Sequence, residues 1–213
     1  MATAAYHHGD LRNALLDAAV DLLAADGPDA LSLRAVARAA GVSHAAPYHH
    51  FADKAEMIEA LTIRGFEVLA AHMREAATSG GEPLDRFRAS GLAYARFAFD
   101  HVALFRLMNR SELRRGASVA AAAEAGYQVV EDAVRASQAA GQMGSGDPGA
   151  YARASWAMVH GAVMLCLDGL VEESAARAPQ AFLDEVTLIL GSGLIPRDGG
   201  PDAPFTPGPC EPA

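Results

Sequence analysis

The sequence predicts an all-α fold, and three observations carry that prediction. Hydrophobic residues make up 51% of the 213 positions, with alanine throughout, a composition that suits closely packed helices. Apolar residues return at helical spacing in one segment after another. Aromatic content is only 7%, and few runs show the β-branched alternation of strands. The architecture this implies is a small three-helix head, joined by a long helix to a larger C-terminal helical bundle.

The first helix is expected to start at Asp10 as N-cap, with Leu11, Leu15, Ala18 and Leu22 on one face, and to stop at Gly27-Pro28. Ser32 can cap a second helix carrying Leu33, Val36, Ala37 and Ala40, after which Gly41 supplies a tight turn. Ser43 can cap a third helix through Tyr48, with Pro47 tolerated because it falls near the first turn, where few intrahelical N–H bonds are required. Asp53 and Glu56 have the spacing of a capping box, opening a long helix that carries Met57, Ile58, Leu61, Val68 and Leu69 and fades near Ser79-Gly80-Gly81. Beyond Pro83 the amphipathic segments lengthen, to about 84–99, 102–110, 117–142, 149–170 and 179–194, with breaks at His101, Gly116, the GQMGSGDPG stretch and Arg177-Ala178-Pro179. The tail after Leu194 holds six of the eleven prolines and is expected to be disordered. The division implied is an arm and head over 1–55, a bundle over 56–195 and a Pro-rich tail over 196–213.

Composition narrows the function. Cys166 and Cys210 form neither a disulfide framework nor a CxxC metal site, which points to a reducing compartment. The N-terminus has no apolar core of signal-peptide length, and the longest apolar run, ASWAMVHGAVMLCL, is 14 residues, too short to cross a bilayer. A cytoplasmic protein without membrane contact is expected. The net charge of −9 argues against a polyanion partner as a whole-surface statement, yet Arg34, Arg38 and Lys54 against Asp53 leave the 34–54 segment at +2.

Helix, glycine turn, short helix and a further helix is the layout of a helix-turn-helix, whose second helix enters the major groove. Val36, Ala37, Val42 and Phe51 can hold the pair together, leaving Ser43, His44, Ala45, Tyr48, His49 and Lys54 outward, where small and polar side chains suit base edges and phosphates. A metal reading of His44, His49 and His50 fails on spacing, since positions five apart do not stack on one helical face, and no HExxH, CxxC or Glu-x-x-His pair occurs in the chain. His50 is expected to pack or cap, and Arg38 to be solvated or ion-paired. No cofactor is expected.

The run LSLRAVARAAGVSHAAPYHHFADKAEMIEAL resembles the DNA-binding head of the TetR family of transcriptional regulators, through the Gly41-Val42-Ser43 turn and a block matched by Tyr48, His50, Phe51 and Lys54. Farther on, SWAMVHG over 155–161 resembles the W-x-x-x-H-G signature of one TetR subgroup's C-terminal ligand-binding domain. The resemblance implies that Arg34, Ser43, Tyr48, His49 and Lys54 touch phosphates, with His44 and Ala45 nearest to bases. Physical chemistry agrees for most of these: hydroxyls and imidazoles donate to phosphates, and Lys54 in a helix's first turn adds charge beside free backbone amides. Tyr6-His7-His8-Gly9 could add contacts from an arm. The head to Arg64 holds five Lys/Arg against eight Asp/Glu, so a shallow salt dependence of DNA binding is expected. Histidine protonation is expected to strengthen binding as the pH falls toward about 6.

In the bundle, Trp156 and His160 share a helical face and are either core or part of a ligand cavity with Phe97, Phe105, Met108, Tyr127 and Met164. The last two helices mix small and apolar residues. Pairing them with their counterparts in a second subunit gives a four-helix interface formed by Val159, Ala162, Leu165, Gly169, Phe182, Val186, Ile189 and Leu190. The function expected is a ligand-responsive regulator, a repressor in its simplest form, binding a palindromic operator as a homodimer and released by a small-molecule effector. The competing reading is a helical small-molecule-binding protein or enzyme whose head merely packs. No nucleophile stands out for a catalytic triad.

Overall fold

The computed structural model describes residues 8–172 and 177–194, and every regular element among them is helical. The Tyr6-His7 part of the arm, the tail over 196–213 with Cys210, and the side chains of His8 and Leu190 lie outside the described residues.

The head is built from α1 (His8–Asp26), a one-turn 3₁₀ helix at Pro28–Ala30, α2 (Leu33–Ala39), a second 3₁₀ helix at Ala46–His49, and the start of α3 (Lys54–Thr78). α1 begins at His8, before the Asp10 start expected of it. It ends as expected, with Gly27 at φ 79° and its N–H donating to the Leu23 carbonyl at 3.1 Å. Ser32 caps α2, its hydroxyl accepting from the Ala35 N–H at 3.1 Å. Leu15, Leu16, Ala19, Leu23, Leu33, Val36, Ala37 and Phe51 are all buried and form the head's core. Arg12 closes it from above, with its guanidinium 5.5 Å from the Phe51 ring centre.

The expected third helix is corrected by the structure. Ser43 caps nothing, and residues 46–49 make a single 3₁₀ turn with Pro47 at its beginning. Proline is the physical reason. An α-helix through this point would use an N–H of Pro47 toward the Ser43 carbonyl, and proline has none. That carbonyl instead accepts from Ala46 at 3.0 Å, Tyr48 donates to Ala45 at 3.2 Å, and the Pro47 carbonyl takes both His50 and Phe51 at 2.9 Å.

The expected capping box at α3 forms with its return bond shifted to the residue before the N-cap. Asp53 Oδ1 accepts from the Glu56 N–H at 2.9 Å, and Glu56 reaches back to the Ala52 N–H at 2.6 Å. α3 has 25 residues, so it runs about 37 Å from head to body. The body continues with α4 (Pro83–Asp100), α5 (Val102–Met108), a one-turn α6 (Ser111–Arg114), α7 (Ala117–Ala139), α8 (Pro148–Leu167) and α9 (Pro179–Leu194). α4 lies at the centre, against α3, α7, α8 and α9, and buries Phe87, Tyr94, Ala95, Phe97 and Ala98. α3 crosses α5 at Gly65, where an added Cβ would stand 2.6 Å from Met108 Sδ, so glycine permits the close approach. α1 touches α5 and α3, and Arg64 of α3 ion-pairs with Asp17 of α1 and donates to the Asn13 carbonyl at 3.2 Å. The head is therefore tied to the body at two places. Among the described residues no helix is long and apolar enough to cross a membrane.

Candidate functional site

The predicted contacts come from α2, the second 3₁₀ turn with the residues before it, and the start of α3. Arg34, Ser43, His44, Ala45, Tyr48, His49 and Lys54 are all exposed, Tyr48 by 53%, which is high for a large aromatic. The fold explains this: Gly41, at φ 69°, reverses the chain, Val36, Ala37 and Phe51 face inward, and Pro47 is buried beneath the turn. Among the described residues Arg34 and Arg38 form no ion pair, so their charges face solvent. Lys54 Nζ makes a long bond to the Pro28 carbonyl at 3.4 Å, which leaves donors for a phosphate. His50 packs 6.4 Å from Phe51, ring centre to ring centre, and is the C-cap of the turn through its backbone N–H to the Pro47 carbonyl; its Nε2 is buried without a partner. No three His, Cys, Asp or Glu side chains among the described residues stand close enough together to hold a metal ion.

The body holds a cavity of about 450 Å³ between α3, α4, α5, α7 and α8, within the range of small-molecule sites. Of the seven predicted ligand contacts, Phe105, Tyr127 and Trp156 line it. Four do not. Phe97 turns toward His72 and His101, at 6.2 Å and 4.9 Å between ring centres. Met108 is fully buried against Gly65, and Met164 packs on the core. His160 stands behind the wall, its Nδ1 2.7 Å from the Tyr94 hydroxyl and its ring stacked on Trp156 at 5.2 Å.

Tyr94, Asn109, Arg114, Glu124 and Arg153 also line the cavity and were missed. Their elements meet only in three dimensions, and no spacing rule links Tyr94 to a histidine 66 positions away. Burial pushes the Tyr94 hydroxyl well above its ordinary range, against the opposing pull of Trp156 and of Arg114's charge. Burial lowers the pKa of His160, and the Arg114 charge lowers it further, so the neutral imidazole is favoured. A narrow recess of about 30 Å³ shares Tyr94, Trp156, Met73 and Val130 with the cavity and extends toward Arg88 and Thr187. A cleft of about 550 Å³ separates α1 from α5 at the junction of head and body, with more polar walls.

On α8 and α9 the predicted interface residues divide. Val159 and Ala162 are buried in the chain's own core at 6% exposure each, so they face away from any partner. Phe182 and Val186 pack partly on that core. Leu165 and Ile189 are exposed, at 44% and 58%, and Gly169 ends α8 in a left-handed turn at φ 67°. Met158 and Leu188, not among the predicted residues, extend the exposed apolar face.

Comparison with known proteins places both parts. Residues 15–61 match the family model described as bacterial regulatory proteins, tetR family, and residues 87–189 match a tetracyclin repressor-like C-terminal domain. The HTH-type transcriptional repressor KstR2 of Mycobacterium tuberculosis is 39% identical over 92 residues, which cover 42% of this chain and 44% of that protein. The match therefore spans less than half of the relative's length. A protein of unknown function from Rhodococcus sp. RHA1 has the same fold with a TM-score of 0.78 and 34% identity, over 91% of this chain and all of the other. The structure of ketosteroid transcriptional regulator KstR2 from Mycobacterium tuberculosis superposes with a TM-score of 0.62 over 92% of this chain, at 20% identity, a likeness of fold.

Proposed function

The chain belongs to the TetR family of bacterial transcriptional regulators, and from that premise we propose that it is a repressor binding a palindromic operator as a homodimer and released by a small-molecule effector. DNA binding itself comes with the family. The observation that carries the finer reading is the pairing of an exposed recognition turn with a separate, partly enclosed cavity in the body.

Two heads related by two-fold symmetry must reach successive major grooves about 34 Å apart, which requires half-sites one helical turn apart and hence a palindrome. The exposed apolar face of α8 and α9 supports that pairing, because apolar patches of this kind on a small domain mark interaction surfaces. Arg34, Ser43, Tyr48, His49 and Lys54 hold phosphates in this reading, and His44 and Ala45 lie nearest the bases. The cavity is bounded by α3, which carries the head, and by α5, which touches α1. A ligand that binds better to a body conformation with wrongly spaced heads lowers operator affinity by its differential affinity for the two states.

The test is selection of bound fragments from genomic and random DNA. The expected result is a shared two-fold site, whose affinity falls roughly 2- to 10-fold with Tyr48→Phe or His49→Ala, the size of one lost hydrogen bond, and depends only shallowly on salt. Fragments with no common sequence, or affinity indifferent to both substitutions, would overturn the reading.

A further inference from the structure

We propose that the cavity of the body takes a carboxylate-bearing apolar molecule, with the carboxylate held by Arg114. This rests on reading the cavity as the effector site and adds the chemical class of its ligand.

Three charged residues line the cavity. Glu124 and Arg153 stand at exposed positions, and Arg153 is already bridged to Asp147 at 3.3 Å. Arg114 differs from both. It is half-buried, with its guanidinium 4.9 Å from the Phe66 ring centre, and among the described residues it has no ion pair and no side-chain hydrogen bond. A guanidinium cannot relieve that situation by losing its proton, and its planar fork matches a carboxylate in a two-point contact.

One further observation gives the site the same sign. Arg88 Nε is buried without a partner in the adjoining recess. The rest of the wall is mostly apolar and aromatic, with Phe66, Leu69, Phe105 and Trp156 beside the polar Asn109. A neutral ligand would cover Arg114 with at best a neutral acceptor and leave its charge uncompensated, and a cationic ligand would meet repulsion. A carboxylate on an apolar body satisfies both the charge and the wall.

Calorimetry on the full-length protein tests this with matched probes: decanoate against 1-decanol and decyltrimethylammonium, and cholate against its methyl ester. The expected result is that at least one carboxylate binds about tenfold or more tightly than its neutral counterpart. Arg114→Met should abolish that preference, and Arg114→Lys, which keeps the charge and guards against a merely misfolded variant, should retain part of it. If no carboxylate exceeds its neutral counterpart, or if the preference survives Arg114→Met, the proposal fails. A parallel measurement of operator release separates it from the reading beneath it. A carboxylate that binds through Arg114 without releasing DNA overturns the effector role and leaves the ligand class standing. Release by a neutral probe alone overturns the ligand class and leaves the effector role.

Discussion

His160 is pushed toward its neutral form from two directions, by burial and by the charge of Arg114, so its pKa lies below the ordinary 6.5. The unfolded chain then binds the proton more readily than the folded one in the interval between the two values. Folding stability therefore falls as the pH drops through about 6.5 and levels off below the folded pKa. NMR titration of the imidazole should give a midpoint below 6.5, and His160→Gln should flatten that part of the stability profile; a midpoint above 6.5 would contradict the arrangement. The Trp156-His160 pair was legible because four residues along a helix share a face. The side of that helix on which the cavity lies was not legible, because it is set by Tyr94 and Phe105 packing against His160 from α4 and α5.

At the scale of elements, the sequence showed its helix boundaries where a side chain makes the cap. Ser32 and Asp53 were visible because each closes a bond within three residues, as was the break before Pro83. Ser43 was misleading for the same reason. It has the residue type of a cap, but the absent N–H of Pro47 turns the following residues into a 3₁₀ turn in which no side-chain cap bond exists. The two serines should therefore respond differently to the same substitution. Ser32→Ala is expected to cost about 1 kcal/mol in chemical denaturation, the usual worth of an N-cap. Ser43→Ala should stay within about 0.5 kcal/mol, as at an ordinary surface site, while still weakening DNA binding if Ser43 meets a phosphate. Equal losses of stability would mean that Ser43 caps a helix after all. The one-turn α6 carried no such signal, and Arg114, which it positions, was missed with it.

For the whole molecule, the division into head, long helix and bundle was legible because each part has its own apolar periodicity. Which bundle faces turn inward was not, since α8 is apolar on more than one side and the sequence offers no means of assigning them. The structure shows one side, with Val159 and Ala162, buried within the chain, and another, with Met158 and Leu165, exposed, as are Leu188 and Ile189 of α9. Under two-fold symmetry such a face is covered by its own copy. In the proposed homodimer, charge placed there should separate the subunits without unfolding them, because neither Leu165 nor Ile189 is among the buried residues. Leu165→Glu combined with Ile189→Glu is expected to give a monomer by sedimentation with an unchanged helical circular dichroism spectrum. Its operator affinity should fall roughly 100-fold or more, the loss that follows when two linked contacts become independent. A wild type that sediments as a monomer would overturn the proposed homodimer, and a variant that sediments as a dimeric wild type does and binds DNA equally well would overturn this face as its interface.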